Sequence, residues 1–246
     1  MIKKGLWIIT FLFIFSKTTF SQDRKFIFYP NIAIDLGGAI PFPLSDIPEG
    51  SGGTPKPYPS LGIGSEYNMS DKWQIAFELN YHLIAFSADA NVVSQPFYWD
   101  DGTAQYYTGK TETDIELRMV EFPLIASYQL KEGRSFLFGA YYSKILEGRF
   151  QTKGINGIYS TDKNITDNAT LPGPEYTIEY DFNEHIDNLD YGVLIGYRYN
   201  INRRFYLWAK LNVGFKSIFE EDFKNIDYEM YQVRLNLGTS YKLFNN

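Results

Sequence analysis

Between positions 73 and 83 the chain alternates strictly. Trp73, Ile75, Phe77, Leu79, Tyr81 and Leu83 fall on one side, and Gln74, Ala76, Glu78, Asn80 and His82 on the other. A strand turns successive side chains to opposite faces, so this spacing predicts a strand with one apolar and one polar side. It is about twice as long as a typical globular strand and matches the about 9–11 residues a tilted strand needs to cross a bilayer. The same alternation recurs at 32–40, 61–67, 191–199, 207–215 and 231–243. Residues 115–128 alternate with a phase slip at Met119–Val120, which predicts a β-bulge there. Phe136, Phe138 and Tyr142 begin a further strand whose alternation fades before Phe150.

Short and long connections alternate between these strands. The short ones lie at 68–71, 131–134 and 200–203, the long ones at 41–59, 85–113, 151–188 and 217–228. Together they predict an all-β fold: an eight-stranded antiparallel up-and-down transmembrane β-barrel with both termini on the short-turn side. Residues 176–180 alternate as well, and an extra strand pair there would make ten. Trp73, Phe77, Tyr81, Tyr197, Tyr199, Phe205, Tyr241 and Phe244 lie on the apolar faces or at their ends, as interfacial aromatics do. A soluble sandwich would need a second layer over those faces, and the opposite faces are too small and polar to be its core.

Met1 to Ser21 reads as a secretory signal, with Lys3 and Lys4, an apolar run at 6–15, and small residues before a cleavage site after Ser21. The barrel then spans 22–246. With 44 aromatics among 246 residues (20 Tyr, 20 Phe, 4 Trp) the chain suits a membrane wall better than an ordinary soluble core. The zero cysteine count rules out disulfides, a thiolate metal site, a cysteine nucleophile and a lipidated cysteine. The net charge is −6; loss of three signal lysines leaves 20 basic against 29 acidic residues, or −9. That balance argues against nucleic acid as a partner. The acidity is local: the four long connections carry −1, −3, −5 and −3, so the remainder is mildly basic.

Several segments resemble a known family. Val120-Glu121-Phe122-Pro123-Leu124-Ile125-Ala126-Ser127-Tyr128 resembles a strand of the outer-membrane β-barrel proteins of Bacteroidetes, the PorT-like group, which are small OmpA-like barrels. Asp190-Tyr191-Gly192-Val193-Leu194-Ile195-Gly196-Tyr197 resembles their D-x-G…G strand. Residues 235–244 resemble their last strand, which carries the aromatic read by the barrel-assembly machinery, although Asn245 and Asn246 follow Phe244. The resemblance implies a barrel in the bacterial outer membrane, with outer-membrane lipid and lipopolysaccharide around it. It does not imply one activity.

Parity places Asp35, Glu66, Glu78, Asn80, His82, Glu116, Arg118, Glu121, Asp190, Arg198, Lys210, Asn212, Arg234, Asn236 and Lys242 on the inward side. An eight-stranded barrel is only wide enough for side chains to fill it, so these groups are expected to pair as a polar plug. A narrow ion path is the alternative. His82, with Ser87 nearby, and His185 are the weak candidates for a surface lipid-modifying enzyme, which would need a nucleophile, a base and an orienting acid in contact. No spacing supports a metal, and no cofactor is expected. In the long loops, Trp99, Asp100, Asp101, Glu220, Glu221 and Asp222 are candidates for binding a protein or glycan, or divalent cations bridging to lipid phosphates. The expectation is a non-enzymatic barrel acting as anchor, scaffold or binding protein through acidic extracellular loops. A lipid-modifying enzyme or a small channel or secretion accessory is the alternative.

Overall fold

Alternating faces in every strand leave the backbone to pair edge to edge, and closure removes the last free edges. The computed structural model describes residues 26–43, 52–98, 104–161, 177–220, 223 and 229–243. Its strands are β1 (Phe26–Phe42), β2 (Gly52–Lys56), β3 (Tyr58–Asn68), β4 (Trp73–Tyr98), β5 (Ala104–Lys131), β6 (Arg134–Ser160), β7 (Thr177–Asp181), β8 (Leu189–Asn200), β9 (Phe205–Ser217) and β10 (Glu229–Tyr241). Eight of them form an antiparallel ring in the order β1-β3-β4-β5-β6-β8-β9-β10, closed by β10 on β1. β2 and β7 lie outside the ring, against β4 and β6 respectively. The ten strands are thus eight staves and two short edge strands, and 177–181 is one of the latter.

Three staves are far longer than the rest. β4, β5 and β6 run for 26, 28 and 27 residues, whereas β3, β8 and β9 have 11, 12 and 13. The predicted long loop at 85–113 is therefore largely a continuous β4–β5 hairpin, paired up to Tyr98↔Ala104. With β2 and β7 at its edges it forms an arm beyond the ring at the long-loop end.

Polarity along these staves inverts. In the lower part of β4, Ile75, Phe77, Leu79 and Tyr81 are exposed on the outer wall, while Ala76, Glu78, Asn80 and His82 are buried inside. Above His82 the inward residues become Ile84 and Phe86, both buried, and the outward ones become Ser87, Asp89 and Asn91. β5 inverts at the same height, since His82 pairs with Met119: Glu121 and Ser127 point inward below, Met119, Leu117 and Ile115 above. Below the inversion the wall meets lipid and encloses polar groups; above it the wall meets water and encloses an apolar core.

This inversion corrects two expectations. Glu116 and Arg118 are not luminal: they lie on the outer face, where Arg118 pairs with Glu147 at 2.6 Å in an exposed ion pair. The irregularity expected at Met119–Val120 is real but sits across the ladder on β6. Arg118 pairs with Glu147 and Met119 with Ile145, so Leu146 is the extra residue. β5 keeps one phase throughout, and only the chemistry of its inward side changes.

Candidate functional site

Inward-facing glycines make room for the lumen. A Cβ on Gly62 would lie 2.0 Å from Asn80 Oδ1, and one on Gly37 2.3 Å from Arg234 Cβ. Bare backbone at those points lets large polar side chains from opposite walls cross the axis. They form three tiers. Nearest the short turns, the Arg198 guanidinium bonds Glu66 and Gln74, reaches Ser127 Oγ at 3.2 Å and lies 5.0 Å from the Tyr206 ring. In the middle, Glu78 accepts from Lys210 Nζ at 2.7 Å, from Tyr29 Oη at 3.0 Å and from Asn80 Nδ2 at 3.0 Å. Asn31 Nδ2 donates to Asn80 Oδ1 at 3.0 Å, and Lys210 Nζ sits 4.1 Å over Trp208.

The upper tier is densest. Asp35 faces His82 Nδ1 at 2.7 Å and accepts from Asn236 Nδ2 at 2.5 Å. His82 Nε2 faces Glu121 Oε1 at 3.5 Å, and Glu121 pairs with Arg234 and accepts from Ser143 Oγ at 3.3 Å. The Asn212 carbonyl accepts from the Arg234 guanidinium at 2.7 and 3.3 Å. Beside this tier, Tyr141 Oη donates to Asp190 at 3.0 Å. Asp35, His82, Glu121 and Arg234 are all at most 2% exposed. Charges so far from water persist only with partners of opposite sign and further hydrogen bonds, and each tier supplies both.

The structure therefore brings together Asp35, Glu66, Glu78, His82, Glu121, Asp190, Arg198, Lys210 and Arg234 of the expected luminal set, and leaves out Glu116 and Arg118. The sequence reading misses the roles of Tyr29, Tyr141 and Tyr206, because it places aromatics on the wall. Their parity was the available signal: each falls in phase with the polar side of its strand.

An apolar plug caps the tiers. Ile84, Phe86, Tyr107, Ile115, Leu117, Met119, Ile145 and Phe150 line it, and Phe182, Ile186, Ile218 and Phe219 fold across from segments outside the staves. The backbone ties this cover down: Phe182 N–H donates to Phe150 O at 2.9 Å and Asp187 N–H to Ile218 O at 2.9 Å. Phe150 and Phe219 meet edge to face at 4.9 Å. Arg234 Nη1 touches Met119 Sδ at 3.6 Å, where the polar tiers meet the plug.

On the arm's outer face, Asp114 accepts from Lys56 Nζ at 2.7 Å and from Ser87 Oγ at 2.6 Å. The Lys56 bond, then the Ser87 bond, holds the Asp114 carboxyl below its usual range. Ser87 thus faces away from His82, on the opposite side of β4, and the serine–histidine pairing does not form. His185 sits exposed in a 3-10 turn, Asn183–His185, beside the Phe223 ring. Neither histidine bonds a serine or threonine hydroxyl among the described residues. Glu220 is exposed, and its N–H donates to His185 O at 3.0 Å. Trp99, Asp100, Asp101, Glu221 and Asp222 lie outside the described residues.

A comparison with curated proteins found no match. Among solved structures, the chain is similar to Ail, the attachment invasion locus protein of Yersinia pestis, at 9% identity and TM-score 0.37, covering 89% of this chain and 99% of that one. It is similar to Neisserial surface protein A at 14% and 0.39, covering 89% and 97%, and to OprG of Pseudomonas aeruginosa at 13% and 0.36, covering 89% and 96%. The family model described as outer membrane protein beta-barrel domain matches residues 20–220, the greater part of the chain. With a closed ring, an apolar outer wall and a polar lumen behind it, this bacterial outer-membrane protein belongs to the outer membrane protein beta-barrel domain family.

Proposed function

We propose that the barrel is a non-enzymatic anchor whose binding surface is its long-loop end, with the acidic loops engaging a basic or cation-bridged partner. The observation that carries this reading is the filled lumen: three tiers of paired charge beneath an apolar plug leave the outside of the molecule as its working surface. Within the family we place it beside the PorT-like barrels of Bacteroidetes, on the strand at 120–128, with residues 1–21 as its secretion address. His82, enclosed beneath the plug, is poorly placed for chemistry on surface lipid, which favours the non-enzymatic reading.

Two measurements test it on the folded, full-length protein. Planar-bilayer recording is expected to give no single-channel steps; resolved steps would sink the sealed-anchor reading in favour of a channel. A cationic peptide should bind the protein more tightly than its uncharged counterpart. The preference should weaken when Asp100, Asp101, Glu220, Glu221 and Asp222 are changed to their amides. Equal binding of both peptides by the unaltered protein would remove the loops from the mechanism.

A further inference from the structure

Three cations of the arm are paired with carboxylates, while Arg149 there bonds Gln151 instead. On the arm, Lys56, Lys110 and Arg118 each hold a carboxylate at 2.6–2.9 Å. At the short-turn end, Lys72, Lys131, Arg134 and Arg204 are exposed, and none of them forms an ion pair among the described residues. The acids in those turns are Asp71 and Glu132. Two of the turns are joined into one rim: Asn200 N–H donates to Gly133 O at 2.7 Å, and Lys242 N–H to Arg204 O at 2.8 Å. The guanidinium groups stand at the edge of the aromatic wall. Arg134 lies 6.0 Å from the Tyr199 ring, and Arg204 Nη1 donates to Tyr241 Oη at 3.1 Å. Tyr241 in turn packs on Phe205 at 4.8 Å.

We propose that this basic rim binds the phosphate groups of anionic phospholipids in the leaflet facing the short turns. The rim continues the lipid-facing wall, directly beyond its aromatic girdle, where headgroup phosphates lie. Arginine forks match phosphate oxygens in two parallel bonds, and lysine ammoniums add point charge beside them. Unpaired cations cost nothing extra to recruit, because no internal ion pair has to break first. The occupant is a lipid phosphodiester rather than an acidic protein, since the cations border the wall that lipid already covers.

The test uses folded full-length protein in mild detergent, offered equal amounts of phosphatidylglycerol and phosphatidylcholine with the same acyl chains. Native mass spectrometry reads the bound lipid. Phosphatidylglycerol should be retained about five-fold or more over phosphatidylcholine, the increment of one basic residue at an anionic surface. That preference should fall toward parity at raised salt, and in the variant Lys131→Gln/Arg134→Gln/Arg204→Gln. The arm variant Lys56→Gln/Lys110→Gln should keep it. Heat-modifiable gel migration establishes that each variant is folded, and the salt series tests the unaltered protein if the rim variant is not. Equal retention of both lipids by the unaltered protein overturns the proposal. So does full preference in the rim variant, or loss of preference in the arm variant, which would assign the effect to net charge.

Discussion

Arg234 joins the two halves of the interior. Its guanidinium pairs with Glu121, bonds the Asn212 carbonyl, touches Met119 Sδ and lies 5.5 Å from the Tyr141 ring. Removing it leaves Glu121 charged and enclosed. Arg234→Met should therefore cost about 3–5 kcal/mol, the usual penalty for stripping one partner from a buried pair. The temperature at which the barrel loses its fast-migrating form on gels should drop accordingly. Glu121→Gln added to Arg234→Met should recover part of the loss, and equal drops in single and double variants would contradict the pairing. Thirteen of the fifteen expected inward residues are where parity put them, because a period of two survives any strand tilt. Glu116 and Arg118 failed for a physical reason. Charge in a strand turns away from lipid, and above the membrane the outer face meets water instead.

The bulge on β6 is the element most open to misreading. In one dimension, a slip of register and an inversion of polarity look the same, since each moves apolar residues to the other parity. Here both occur at one height: β5 inverts without slipping, and β6 slips at Leu146. The slip keeps Phe150 turned inward beneath Phe182 and Phe219 while Arg149 stays outside. Deleting Leu146 removes the extra residue, so Ile145 and Glu147 alternate directly and both faces should be kept. The absence of cysteine makes this directly measurable. A thiol reagent should label Arg149→Cys and spare Phe150→Cys, and the deletion should keep that order. An order reversed by the deletion would mean that Leu146 is not the residue the ladder leaves unpaired.

At the scale of the molecule, two barriers lie in series along the axis, an ionic lumen and an apolar plug. Loosening one leaves the other. Phe150→Ala with Phe219→Ala should therefore remain silent in bilayer recordings although the plug has lost its central aromatic pair; current from this variant would show that the tiers do not fill the lumen. The ring was legible in the sequence, because each membrane stave carries a long one-sided alternation. The arm was not. Its strands alternate with the polarity of a soluble sheet, and between membrane staves that reads as loop.

The inversion at His82 and Met119 is also a waterline. Below it, the outer wall offers Tyr81, Val120 and Phe122; one cross-strand step above it offers Arg118 and Glu147. Sinking the barrel by two residues, about 7 Å along a strand, would push that ion pair into hydrocarbon, and raising it equally would strip lipid from the aromatic wall. The level at which the molecule floats is thus written into two adjacent strands, independently of anything its loops bind.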